Sequence, residues 1–269
     1  MTRLQLAFAV RLSKRHRSAH LPKNSLGNFV ATICTRTLIL LSVLLNFQII
    51  LALKYPEIEF RYDWRGKFID AIGSIFFPKS CNFEKVDHEL KQRFEQILPR
   101  LITQWKHKAP ILFGEVFSTF NRGFKHNKRT AVLFLGTTIG YGSNNLLLLG
   151  IRAFVDAKLW PWCASREDAF VNMLFHELLH IWLCDNIDDT KSQLLKKYSQ
   201  ERDHVRSHIH LMAIQKMVYL RLNRLDMLGM IDKFYTQVAT TDYKQAWKII
   251  NDLEGYENVI HDCLNSLKS

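Results

Sequence analysis

At 269 residues, with a hydrophobic share of 48% and an aromatic share of 12%, the chain holds enough apolar material for one moderate catalytic domain behind a targeting segment. The net charge of +12 invites a nucleic-acid partner, but its distribution argues against one. Arg3, Arg11, Lys14, Arg15, Arg17, Lys23 and Arg36 precede the first acid, Glu57; without those seven the remainder is only +5, and no basic run interleaved with aromatics marks a binding groove.

The basic leader runs into an apolar segment, Thr37 to Leu53, interrupted by Asn46 and Gln48. Positive flank, apolar centre and polar continuation is the order of a secretory signal. The segment is near the short limit of a membrane span, and no clean small-x-small cleavage site stands near Ala52. Two outcomes stay open for residues 1–53: a cleaved signal with export to the periplasm or the exterior, or an N-terminal membrane anchor through residues 37–53 with its basic side cytoplasmic. A buried core helix is the structural alternative. Residues 54–269 then form one domain.

Within that domain, Leu90, Phe94, Ile97, Leu98 and Leu101 recur at helical spacing over Asp87–Trp105, with Pro99 predicting a bend or restart. Residues 109–128 read as loop and short elements. Thr130–Leu135 and Asn145–Ile151 are apolar runs bounded by Gly or Asn and read as strands, with the Gly-containing stretch 136–145 as the turn between them. Ser165-Arg166-Glu167-Asp168 resembles a capping box with Asp in place of Glu or Gln, and it opens an apolar helix free of Pro and Gly. A polar loop, Cys184 to Thr190, follows. Helices are then predicted over Gln200–Leu222, Leu225–Gln237, Tyr243–Leu253 and Asn258–Leu267, with Ser192–Tyr198 leading into the first. Strands followed by helices predict an α+β fold. Cys81, Cys163, Cys184 and Cys263 form no CxxC pair; two disulfides or free thiols are both consistent with them.

The chemistry centres on Phe175-His176-Glu177-Leu178-Leu179-His180, an HExxH sequence in the apolar helix. His176 and His180 are one helical turn apart on one face, so both imidazoles can meet one metal ion while Glu177 reaches a water on it. A buried helix is a costly place for two His and a Glu without partners. Zinc, Zn2+, is the expected cofactor, with Glu177 as general base. The bland alternative is a pair of core histidines bonded to backbone beside a surface glutamate.

A third ligand must come from elsewhere. The pattern HExxHxxGxxH fails, because Leu183 and Asn186 occupy its Gly and His positions. Glu201, His204 and His208 follow at a spacing that places them on one helical face, with His210 elsewhere. His208 lies in the apolar part of the segment and is the preferred ligand; Glu201 is second and His204 third.

The HExxH helix and the segment after it resemble the zincin superfamily of zinc metallopeptidases, in its thermolysin-like (gluzincin) branch. Those enzymes carry Asn-Glu-x-x-Ser-Asp around the ligating Glu; this chain has Gln200-Glu201-Arg202-Asp203-His204-Val205. The resemblance implies a zincin-like small sheet packed on the active-site helix and peptide-bond hydrolysis of a peptide or protein substrate. It also implies an edge strand that pairs with extended substrate, for which residues 145–151 are the candidate. An oxyanion donor of the Tyr, His or Arg type is implied as well, with Tyr219, Tyr141, His204 and Arg206 as candidates. Two other functions compete: a metal-free binding or scaffold protein with an accidental HExxH, and a zinc hydrolase of a non-peptide bond.

Overall fold

A computed structural model describes residues 55–62, 88–134, 140–143, 146–155 and 165–269. The leader and apolar segment, residues 1–53, lie outside the described residues, as do Cys81 and Cys163. No described helix is long and apolar enough to cross a membrane.

Among the described residues the sheet has four strands: β1 (Glu57–Tyr62), β2 (Lys128–Phe134), β3 (Gly140–Ser143) and β4 (Leu146–Gly150), in the spatial order β1-β2-β4-β3. β1, β2 and β4 are parallel, and β3 pairs antiparallel to β4 with Gly140 opposite Leu149 and Ser143 opposite Leu146. Parallel neighbours need a long crossover, and α1 (His88–Phe120) lies in the one between β1 and β2. Side chains alternate across the sheet. Ala131, Leu133, Leu147 and Leu149 enter the main core, while Val132, Phe134 and Leu148 form a small cluster on the opposite face.

Three local expectations are corrected. Residues 109–120 are not loop: α1 continues through Pro99 and Pro110 to Phe120. Leu112, Phe113, Val116, Phe117 and Phe120 are all buried there, and Phe113 packs edge-on against Phe175 of the HExxH segment at 5.1 Å between ring centres. Burial of that aromatic stripe outweighs the hydrogen bonds lost to proline. The stretch 136–145 is not only a turn, because it contains β3. Strand β4, the expected edge, is an interior strand between β2 and β3; the outer strands are β1 and β3, and β3 is the one beside the motif helix. A four-residue strand with two glycines has too little apolar alternation to register as one in sequence.

After α2 (Arg152–Val155) comes α3 (Arg166–Asn186), which carries the HExxH motif. Its start is the one expected: Ser165 is the N-cap, and its Oγ accepts the Asp168 backbone N–H at 3.0 Å. The Asp168 carboxylate takes the Ser165 hydroxyl proton and pairs with Lys108 of α1 and with Arg224, so the cap also ties α3 to its neighbours. Thirteen α3 residues are buried, from Ala169 through Asn186. α3 packs on β3 and α1.

The helical half comprises α4 (Gln193–Lys197), α5 (Asp203–Arg221), α6 (Leu225–Lys233), α7 (Thr241–Lys248) and α8 (Tyr256–Asn265). π-helical turns at Phe234–Val238 and Ile249–Leu253 follow α6 and α7. α5 is the hub of this half, with α3, α6, α7 and α8 packed around it. Asp262 of α8 fastens α4 to α5. It accepts the Ser192 hydroxyl at 2.5 Å, the backbone N–H groups of Gln193 and Leu194 at 3.0 and 3.2 Å, and His210 Nε2 at 2.9 Å. Small sheet first and helices after is an α+β order.

Among the described residues no disulfide forms. Cys263 is a free thiol sealed in the core, and Cys184 is free on the exposed side of α3.

Candidate metal centre

His176 and His180 extend from the same face of α3, and α5 crosses that face with His208. One ring nitrogen from each of the three lies within 4.8 Å of the others, a group of the size that holds a metal ion. His180 Nε2 and His208 Nε2 are 3.2 Å apart. Nitrogens about 2.0–2.1 Å from a tetrahedral ion stand about 3.3–3.4 Å from each other, so this pair already has the separation of two ligands.

The far nitrogens of two of the rings are occupied. His208 Nδ1 faces the His204 carbonyl at 2.6 Å, one turn back on α5, with Ser207 Oγ at 3.2 Å. A carbonyl only accepts, so Nδ1 carries the hydrogen and Nε2 keeps its lone pair. His176 Nδ1 is 3.1 Å from the hydroxyl of Tyr235.

Electrostatics keeps the three rings neutral. Burial, then the neighbouring His180 and His208, hold His176 well below the ordinary histidine range. Burial, then His204, bring His180 down to about 4. Burial, then His180, lower His208 strongly, against the opposing pull of the His204 carbonyl. Neutral imidazole is the ligand form for zinc and other borderline metals, so the donor set fits such an ion.

Glu177 is buried beside this cluster. Its charge reaches two tyrosines. Burial first, and then the Glu177 carboxylate, raise Tyr243 above the ordinary tyrosine range; burial, then Tyr243, Tyr219 and Glu177, raise Tyr235. Both hydroxyls are therefore protonated donors at neutral pH. The half-buried Tyr243 ring leans over the site, 4.4 Å from the His208 ring centre, 4.9 Å from His204 and 6.1 Å from His176.

The remaining candidates are separated by the fold. Glu201 is not on the ligand helix, because α5 begins at Asp203; its carboxylate accepts Gln245 Nε2 at 2.9 Å and stays outside the three-histidine group. His204 sits at the exposed rim, 4.5 Å ring to ring from His208 and 3.7 Å from an Asp242 oxygen. His210 turns to Asp262. Arg206 pairs with Asp203, and Tyr219 is buried with its hydroxyl on Asn172. Tyr141 lies on β3, with its side chain outside the described residues.

Sequence reasoning missed Tyr235, Tyr243, Gln215 and Asn172. Two of these left a signal: Asn172 stands one turn before His176 and Gln215 two turns after His208, polar residues on the same helical face as those histidines and within mostly apolar stretches. The tyrosines left none, since they reach the site from separate elements. Comparison with protein-family models, with curated proteins and with solved structures finds no match to this chain.

Proposed function

We propose that the chain is a zinc-dependent peptidase with a zincin-like fold, in which His176, His180 and His208 hold the ion. The observation that carries this reading is the meeting of His208 with the HExxH histidines within 4.8 Å, beside a buried Glu177. Bound zinc supplies Lewis acidity and a water acidic enough to lose its proton near neutral pH.

Glu177 takes the proton of the attacking water and returns one to the leaving amine. In this reading Tyr243, and His204 behind it at the rim, donate to the oxyanion that develops on the scissile carbonyl. β3 supplies the edge that an extended polypeptide can join, running beside the helix that carries the motif. The zincin-like arrangement is supported by this edge strand, the buried HExxH helix and a third ligand from the next long helix.

The test is metal analysis joined to peptide cleavage by the full chain. Wild type is expected to bind one zinc and cleave peptides. Glu177→Gln is expected to keep the zinc and lose activity by about 10²–10⁴-fold, the scale of general-base catalysis. Wild type without zinc sinks the reading in favour of a metal-free binding protein. Zinc without peptide cleavage, together with turnover of esters or other activated carbonyls, moves it to a non-peptide hydrolase.

A further inference from the structure

Beside His176, four polar side chains join in one directed chain of hydrogen bonds. Asn172 Oδ1 accepts from the Tyr219 hydroxyl and from Gln215 Nε2, each at 2.8 Å. With Nε2 committed as donor, Gln215 presents Oε1 to Tyr235, whose hydroxyl donates to it at 3.0 Å. A tyrosine hydroxyl has one proton. Having given it to Gln215, the Tyr235 oxygen can only accept from His176 Nδ1, 3.1 Å away. His176 Nδ1 then carries hydrogen, and the lone pair is on Nε2.

Gln215 is 0% exposed, Tyr219 1% and Tyr235 2%, which leaves little room for water to break the order. Reversing one bond alone would set two donors or two acceptors face to face in a dry interior, leaving buried polar groups unsatisfied. Both amides would have to flip together with both protons. The backbone is committed to the arrangement as well: Tyr235 lies in the π-helical turn Phe234–Val238, an irregularity that recurs at functional sites.

We propose that Gln215 and Tyr235 are positioning residues that hold His176 in its Nδ1–H form, presetting Nε2 as a metal donor before an ion arrives. This rests on the reading of the three histidines as a metal centre. It adds how the chain makes one of them ready: by a side-chain relay, where His208 uses a backbone carbonyl.

The full-length chain serves for the test, with zinc affinity read by chelator competition and histidine tautomers read by nitrogen NMR of metal-free protein at neutral pH. Metal-free wild type is expected to show His176 protonated at Nδ1. Tyr235→Phe and Gln215→Leu are expected to weaken zinc binding by roughly 10–100-fold and to raise the Nε2–H fraction. Gln215→Glu is expected to restore affinity towards wild type, because the protonated carboxyl gives its hydrogen to Asn172 Oδ1 and accepts the Tyr235 hydroxyl on its other oxygen. A merely structural role would lower stability without moving the tautomer or being rescued. His176 found as Nε2–H in wild type overturns the proposal, and so do folded Tyr235→Phe and Gln215→Leu proteins with wild-type affinity. If both variants fail to fold, the wild-type spectrum decides alone. Wild type that binds no zinc sinks the peptidase reading, while the same spectrum still decides the relay.

Discussion

His208 is one of three histidines in the first half of α5, with His204 and His210, and only its surroundings set it apart. Its ring is buried, oriented by the His204 carbonyl and 3.2 Å from His180. His208→Ala should therefore reduce zinc affinity by more than the roughly 100-fold that loss of a supporting hydrogen bond costs, as read by metal content after dialysis. Glu201→Gln should leave metal content unchanged, since Glu201 is held by Gln245 outside the cluster. Tyr243→Phe keeps the ring over the site and removes only the hydroxyl. It should retain zinc and lower kcat by about 10²–10³-fold with little change in KM, the pattern of a donor that acts in the transition state. Preference for His208 was legible from its apolar neighbours, whereas Tyr243 was not, because its nearness to the site depends on how α7 packs against α5.

Among the elements, α3 and α8 show what holds the site in place. The Ser165 cap fixes where α3 begins, and Ser165→Ala should cost about 1 kcal/mol in urea unfolding. Asp262 is the more demanding joint. Burial tends to raise its pKa, but hydrogen bonds from His210, Ser192 and the Leu194 backbone outweigh that and bring it down to about 2. A carboxylate depressed on folding contributes stability that is present above its unfolded value near 4 and is lost as pH falls through about 2. Wild type should thus show a falling melting temperature across that acid window. Asp262→Asn should start lower at pH 6, by about 1.5–3 kcal/mol for the charge-assisted hydrogen bonds lost at a partly buried carboxylate, and fall less across the window. The N-terminus of α3 was readable from Ser165 and the apolar run behind it. The second half of α1 was not, because two prolines signal a break that only packing against Phe175 overrides. β3 was hidden by its glycines, since a short edge strand is defined by its partner β4 more than by its own residues.

The described residues belong to one unit spanning Ile50–Ser269, and within it the three-histidine cluster joins the motif helix to the helical half. An ion bound by α3 and α5 together stabilises the folded state by mass action, about 2.7 kcal/mol at a free concentration one hundred times Kd. Zinc should raise the melting temperature by about 5–11 °C for a domain of this size, and a chelator should reverse the shift. Absence of any zinc-dependent shift would count against a site built across two helices.

By itself the amino-acid order determined that one helix would be buried, where it would start, and that it would carry two histidines and a glutamate one turn apart. Those follow from local rules, 3.6-residue periodicity and an N-cap, that act within one segment. Tertiary structure alone decided that α5 brings His208 within reach of the motif pair, that β3 is an outer strand beside the motif helix, and that Tyr243 and the Gln215–Tyr235 pair reach the site. Each of these depends on contacts between segments far apart in the chain, where packing and hydrogen-bond geometry select among residues that local rules leave equivalent.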